Sequence, residues 1–202
     1  MIYPPRMTVI APHIRCIDDE SLTGTHGRLI FLESFATLTV TLDDSGIACF
    51  EERVDLDTDG TRSVPLLCGM TDRIDGDTVL AGFRLDHVMA SLMRVPRDSM
   101  HEAAGREALL KLKLGLIRAP IDAWWLDRKP LDFLNGVAAE HGLPAEWDQP
   151  VNPLNPALCR RRLSARASTL WAAIVAKRLP AGDQRRRIFA QFDRWRTAAA
   201  HA

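Results

Sequence analysis

The alternation of apolar and polar residues predicts a β-hairpin in the first third of the chain. From Ala36 onward, Leu38, Val40 and Leu42 alternate with three threonines, and a period of two is typical of a β-strand. We therefore predict one strand over 29–42 and a second over 47–56. The Asp-Asp-Ser-Gly stretch between them is a turn signal, so the two strands should pair antiparallel.

The remaining chain alternates between short apolar runs and segments of helical period. We predict three further strands, at 14–18, 78–82 and 119–126. Helices are predicted at 86–94, 101–113, 130–142, 157–178 and 184–198. Early antiparallel strands followed by strand–helix units indicate an α/β fold, with a mixed sheet and helices on its faces.

The two C-terminal helices carry the clearest helical period. A linker with four prolines precedes them at 143–156. The first helix should bury a continuous stripe formed by Leu163, Ala167, Leu170, Trp171, Ile174 and Val175. The second should bury Ile188, Phe189, Phe192 and Trp195 and expose arginines on its other face.

Length and composition favour one folded domain. The 202 residues are 47% hydrophobic, which is enough for a core at this size. We predict an α/β domain over 1–180 and a basic helix over 181–202 that packs on it. No apolar run approaches the ~20 residues that span a bilayer, and the first residues lack a signal-peptide pattern. The four cysteines show no CxxC spacing, so we predict a cytoplasmic protein with free thiols.

The formal net charge is zero, but the charge is unevenly distributed. Residues 158–202 contain eleven Arg or Lys and two acids, whereas the first 157 residues contain fifteen basic and twenty-four acidic groups. Such asymmetry is typical of proteins that contact nucleic acid. The alternative is that the basic C-terminus docks on the acidic remainder and the two neutralise each other.

Two carboxylates at the end of a predicted strand are the first candidate for chemistry. Asp18 and Glu20 lie two residues apart in Cys-Ile-Asp-Asp-Glu-Ser-Leu-Thr-Gly, and residues i and i+2 of a strand point to the same side. A divalent cation offsets the repulsion between such carboxylates, and hard oxygen ligands favour Mg²⁺ or Mn²⁺. The alternative is a polar strand end that continues into a loop.

This stretch resembles the first motif of the DEDD-type 3′–5′ exonucleases, a group with the ribonuclease H-like fold. The motif is an apolar strand leading into Asp-x-Glu and then Gly, here Asp18, Glu20 and Gly24. The segment 78–92 is similar to the second motif, with Asp86 as the third carboxylate. The resemblance implies a ribonuclease H-like mixed β-sheet flanked by helices, with a basic helical C-terminus. It also implies that Asp18, Glu20 and Asp86 are catalytic and hold Mg²⁺ or Mn²⁺.

The last motif of the family departs from its pattern in this chain. Where the family has His and Asp on its last domain helix, this sequence has Cys159 and Ser164. Two-metal catalysis uses a pair of cations to stabilise the attacking and leaving oxygens, and losing a ligand and a base weakens the second metal site. The resemblance therefore leaves two functions open. One is metal-dependent 3′–5′ hydrolysis of DNA or RNA; the other is a catalytically inactive module that binds nucleic acid or protein.

Basic residues on the same helix complete the predicted site. We expect four arginines to bind the phosphate backbone of single-stranded nucleic acid or of a 3′ end: Arg160, Arg161, Arg162 and Arg166. We expect no membrane partner, because the chain has no apolar run long enough to span a bilayer. A homodimer is left open. A third alternative is an unrelated α/β enzyme in which Asp-x-Glu occurs by chance, but the chain has no glycine-rich phosphate loop, nucleophile elbow or zinc motif.

Four residues have structural alternatives. Asp86 could also cap the N-terminus of a helix. We expect Asp122 to be structural. The Trp124–Trp125 pair could stack on bases, but a tryptophan pair beside a predicted strand is more often part of the core.

Overall fold

A five-stranded mixed sheet forms the centre of the protein. The computed structural model describes residues 4–19, 27–57, 62–95, 102–144 and 155–199, without the side chains of 17–19 and 27–29. The strand order is β3-β2-β1-β4-β5. The strands are β1 (Arg6–Asp19), β2 (Gly27–Leu42), β3 (Ala48–Leu56), β4 (Val79–Gly82) and β5 (Ile121–Asp122).

The sheet combines an antiparallel half with a parallel half. β2 pairs antiparallel with both β1 and β3, whereas β4 runs parallel to β1 and β5 runs parallel to β4. In the described ranges, six helices cover it: α1 (Ser63–Thr71), α2 (Leu85–Leu92), α3 (Glu102–Ile117), α4 (Pro130–Glu140), α5 (Pro156–Arg178) and α6 (Asp183–Ala199). A 3₁₀ turn, Ala123–Trp125, follows β5. The predicted α/β class with a mixed, helix-flanked sheet is confirmed.

The predicted hairpin is confirmed as β2 and β3. The turn between them is fixed by Asp43, whose Oδ1 accepts the backbone N–H groups of Ser45 and Ile47 at 2.9 and 2.8 Å. Gly46 adopts φ +79°, a left-handed conformation that glycine tolerates. The Ser45 hydroxyl also donates to the Asp43 Oδ1, at 2.6 Å. This hydrogen bond contributes most to lowering the pKa of Asp43, and the bond from the Ile47 N–H adds to it. The turn therefore fixes which residues of the two strands face each other.

Three predictions about the elements are corrected. β1 begins at Arg6 and not at residue 14, because the apolar run before Pro12 already forms the strand. The strand predicted at 119–126 shrinks to the two residues of β5. Helix α1 was not predicted; seven of its nine residues are buried, so it shows no alternation of apolar and polar positions.

Each face of the sheet packs against its own helices. On one face, α4, α5 and α6 cover apolar residues of β1 and β2 such as Val9 and Leu38. On the other face, α1, α2 and α3 cover Ile10, Phe35 and Leu80. Every member of the predicted buried stripe of α5 is buried. In α6, Ile188 and Phe192 are buried, whereas Phe189 and Trp195 are half-buried.

An aromatic cluster joins α5, α6 and β3. The rings of Trp171 and Phe192 lie 4.5 Å apart, and Phe50 meets Trp171 edge to face at 5.2 Å and stacks on Trp195 at 5.3 Å. Trp171 is fully buried. Contacts of this kind add to the free energy gained by burying the rings. Within the described ranges, no helix combines the length and the apolar character needed to cross a bilayer.

Two tryptophans in opposite environments allow a matched stability test. Trp171 is 0% exposed and Trp125 is 79% exposed. Trp171→Ala should lower the free energy of unfolding by about 3–5 kcal/mol, because it leaves a cavity in the core. Trp125→Ala should change it by less than about 0.5 kcal/mol. Urea unfolding followed by circular dichroism measures both, and equal losses in the two variants would contradict the assigned core.

Candidate functional site

The first predicted carboxylate lies near the C-terminal end of β1. Asp18 belongs to β1, where its backbone pairs with Arg28 of β2. The side chain of Asp18 and the whole of Glu20 lie outside the described residues. The proposed metal-binding geometry of the Asp-x-Glu pair therefore stays a prediction.

The third predicted carboxylate, Asp86, lies in the first turn of α2, where the residue is exposed. It does not cap the helix, because α2 begins at Leu85 and Arg84 occupies the N-cap position. The capping interaction comes from Asp122. Its carboxylate accepts the backbone N–H groups of Arg84 and Leu85, each at 2.8 Å, and that of Trp124 at 2.9 Å. The predicted structural role of Asp122 is confirmed.

The strand register sets the separation of the two described backbone positions. Val9 of β1 pairs with Ala81, near the end of β4, and α2 with Asp86 follows directly. Asp18 lies nine residues beyond Val9 on β1, which corresponds to roughly 30 Å measured along the strand. The register thus does not bring Asp18 beside Asp86. Among the residues that the structure describes, no group of three His, Cys, Asp or Glu side chains is arranged to hold a metal ion.

The two positions of the degenerate last motif lie on α5 in different surroundings. Cys159 is buried, and its Sγ lies 3.8 Å from the Ser34 hydroxyl of β2. Burial raises the pKa of this thiol, which keeps it protonated at neutral pH. Ser164 donates a hydrogen bond to Glu52 of β3. Both side chains thus contact the sheet from α5. Ser164 also lines a groove of about 330 Å³ together with Arg161 and Arg196.

The predicted phosphate-binding arginines are on the N-terminal half of α5. Arg160 and Arg161 are exposed, whereas Arg162 and Arg166 are half-buried. Arg160 donates to the Val54 carbonyl oxygen at 2.7 Å. The four predicted arginines therefore lie on one helix, but only two of them are fully exposed at the surface.

The alternative of a basic C-terminus neutralised by the acidic remainder has support among the described residues, including the charge of Arg196, which opposes the burial-raised pKa of Glu52 on β3. Lys177 forms an ion pair with Asp127 at 2.8 Å, which joins α5 to the loop before α4. Arg186 pairs instead with Asp183 of its own helix. Arg185 and Arg194 donate to backbone carbonyl oxygens.

A buried polar cluster, which the sequence reasoning missed, lies beside Cys159. The pairing of β1 and β2 shifts between His13 and Ile14, so that Glu33 is an extra residue of β2. Glu33 is only 3% exposed. Its carboxylate meets the Arg15 Nε at 2.5 Å and the His13 Nε2 at 3.5 Å. A β-bulge re-aims a side chain in this way, and here it directs a carboxylate toward a histidine and an arginine.

Burial controls the protonation of this cluster. Desolvation, with the charges of Arg166 and Arg15, lowers the pKa of His13 to about 4. Desolvation also raises the pKa of Glu33, an effect that Arg15 opposes and Asp57 reinforces. At neutral pH the imidazole is therefore uncharged, and Arg15 is the cationic partner of Glu33.

A sequence signal for this cluster existed. His13 and Glu33 each interrupt an otherwise apolar strand, in Val-Ile-Ala-Pro-His-Ile and in Leu-Ile-Phe-Leu-Glu-Ser-Phe. Polar residues inside buried strands require partners. That rule predicts that the two residues have partners, but it does not predict that they meet.

The tryptophan pair is corrected in part. Trp124 is half-buried, with the Phe83 ring at 5.5 Å and the Arg84 guanidinium over its face at 5.1 Å. Trp125, in contrast, is 79% exposed, so the expectation that the pair lies in the core is wrong for this residue. Comparison of the chain with known protein families, curated proteins and solved structures finds no match.

The lowered pKa of His13 makes the stability of the fold depend on pH. The unfolded chain binds the extra proton near pH 6.5 and the folded chain only near pH 4. Stability should therefore fall as the pH drops from about 6.5 to 4, by about 3 kcal/mol from this residue. Glu33 acts in the opposite direction, because its pKa is raised by folding.

Replacement of the imidazole isolates its contribution to this dependence. In His13→Asn, the decrease in unfolding free energy between pH 6.5 and 4 should be smaller than in the wild type. Urea unfolding at a series of pH values gives both curves. Parallel curves would contradict a neutral, desolvated His13, and an NMR titration of its ring gives the pKa directly.

Proposed function

We propose that the protein is a nucleic-acid-binding domain that holds single-stranded nucleic acid, or the 3′ end of a strand, against the basic surface of α5 and α6. The observation that carries this proposal is the kind of hydrogen-bond acceptor that the arginines of these helices contact. Four of them donate to backbone carbonyl oxygens: Arg160, Arg185, Arg194 and Arg196. A carbonyl oxygen carries no net charge, so these hydrogen bonds orient the guanidinium groups without neutralising them.

The distribution of charge along α5 supports the same function. The helix carries four arginines in its N-terminal half and Lys177 and Arg178 at its end, with no acid in between. Over 23 residues it extends ~35 Å. Because residues 167–175 are buried, these basic residues lie at the two ends of the helix, and the phosphates of a nucleic-acid strand are natural counterions for them.

Salt dependence measures the phosphate contacts. Arg161 and Arg187 are exposed on α5 and α6. The double variant Arg161→Gln/Arg187→Gln should bind a fluorescein-labelled 20-nucleotide single strand more weakly than the wild type. The slope of log affinity against log salt should become shallower by about 1.4, since each lost contact with a single strand contributes ~0.7. Fluorescence anisotropy between 50 and 300 mM KCl gives both slopes.

A matched control removes the same charge elsewhere. Lys111 and Lys113 lie on α3, which covers the opposite face of the sheet. Lys111→Gln/Lys113→Gln should keep the wild-type slope. Equal changes in both double variants would indicate a general effect of net charge and would contradict a binding surface on α5 and α6.

A second candidate function is metal-dependent 3′–5′ exonuclease activity. It is supported by the sequence resemblance and by the sheet, whose order β3-β2-β1-β4-β5 with antiparallel first strands is compatible with the ribonuclease H-like fold. In this function, Asp18 and Glu20 would hold Mg²⁺ or Mn²⁺ without Asp86, which the strand register does not bring beside Asp18, and the ion would activate water for attack on the terminal phosphodiester.

Asp18 is the residue on which the exonuclease candidate depends. With Mn²⁺, a 5′-labelled single strand should shorten progressively from its 3′ end, and Asp18→Asn should abolish the shortening because a carboxylate ligand is lost. Denaturing gels resolve the products. Asp44→Asn, in the exposed turn after β2, is the matched control and should cut like the wild type. Degradation that persists in Asp18→Asn would exclude this site.

A further inference from the structure

The 3₁₀ turn after β5 presents an aromatic ring to solvent on a rigid support. Trp125 is 79% exposed. The turn that carries it is fixed at both ends: Asp122 accepts the Trp124 N–H at 2.9 Å, and Leu126 donates to the Ala123 carbonyl at 3.2 Å. The neighbouring Trp124 is held between Phe83 and Arg84. Large exposed aromatic rings are enriched at binding surfaces, and this one is held in place by contacts that do not use its own ring.

Trp125 lies beyond the carboxyl ends of parallel strands, the end of an open α/β sheet at which ligands bind. β4 and β5 are parallel and end at Gly82 and Asp122. Trp125 lies between two concavities at this edge. One, of about 680 Å³, is also lined by Arg128, and the other, of about 450 Å³, is also lined by Arg178.

The charges at this edge suit an anionic ligand. Arg128 and Arg178 line the two concavities beside the ring, and Arg84 lies over the ring of the neighbouring Trp124. Of the acids nearby, Asp127 is paired with Lys177, whereas Asp122 accepts hydrogen bonds from three uncharged backbone N–H groups. Asp86 also lines the second concavity, and it sets a limit on how close a phosphate can approach there. Proteins bind single-stranded nucleic acid with an exposed ring that has cations beside it. The bases stack on the ring, and the phosphates contact the cations.

We propose that Trp125 is a stacking platform for an unpaired base of single-stranded nucleic acid, with Arg128 beside it as a phosphate contact. This inference rests on the proposed nucleic-acid-binding function and extends it. Because Arg178 ends α5 and lines the concavity beside Trp125, the platform lies beside the basic C-terminal end of that helix. The buried middle of α5 separates it from Arg160 and Arg161 at the other end.

The test separates stacking on a base from attraction to phosphate. The two probes are a fluorescein-labelled (dT)₁₂ and a 12-mer of the same length made of abasic sites. Trp125→Ala should weaken binding of (dT)₁₂ by about 5- to 100-fold, and Trp125→Phe should retain most of the affinity. On the abasic strand, both variants should bind like the wild type. Arg128→Gln should weaken both probes to a similar extent.

Met93→Ala is the matched control, because Met93 is a large apolar residue, 57% exposed, at the end of α2. It should bind both probes like the wild type. Affinity for (dT)₁₂ that is unchanged in Trp125→Ala, while the arginine variants of α5 and α6 still lower the salt slope, would overturn the platform alone. Failure of the wild type to bind either probe would overturn the platform together with the proposed function.

An exposed ring of this kind can instead contact a second copy of the chain, and sedimentation velocity distinguishes that alternative from a nucleic-acid platform. A wild-type dimer that dissociates on Trp125→Ala would assign the ring to an interface between copies and would overturn the platform. The same sedimentation coefficient in the wild type and in Trp125→Ala is the result expected for a nucleic-acid platform.

Discussion

The packing of α5 on the sheet is the constraint on which the rest of the structure depends. Twelve of its 23 residues are buried, and Trp171 at its centre is shared with α6 and β3. A helix that buries so much of its middle has to place its charged residues near its ends, and α5 does so, with arginines at 160–166 and Lys177 and Arg178 at its C-terminus. The core and the basic surface are therefore two consequences of the same helix, and changes that tilt α5 would affect both.

The sequence predicts most elements correctly where one periodicity dominates. The hairpin of β2 and β3 follows from the alternation after Ala36 and from the turn at Asp43, and α5 follows from its apolar stripe. α1 is missed because nearly all of it is buried, so that neither the helical nor the strand period is visible. Periodicity arises from contrast between a buried and an exposed face, and an element without that contrast has no such signal.

The candidate site is less predictable, because it depends on register and on contacts between distant segments. In the sequence, Asp18 ends one predicted strand and Asp86 follows another, which suggests that they meet. The pairing of Val9 with Ala81 shows instead that Asp18 lies nine residues farther along β1 than the residue that pairs with β4 near its end. The exposure of Trp125 depends in a similar way on Asp122, whose carboxylate ties the start of α2 to the turn after β5. No local pattern in the chain encodes either relation.

The bulge at Glu33 divides β2 into two halves that face opposite ways. Before it, Ile30 and Leu32 pack with α1 and α3, whereas after it Ala36 and Leu38 pack with α5. A strand with strict alternation would send all four of these even-numbered residues to one side. One inserted residue thus supplies apolar side chains to both layers of the protein, and deleting it would turn half of the strand inside out. Length variation at this point of the chain would therefore exchange apolar residues between the two layers.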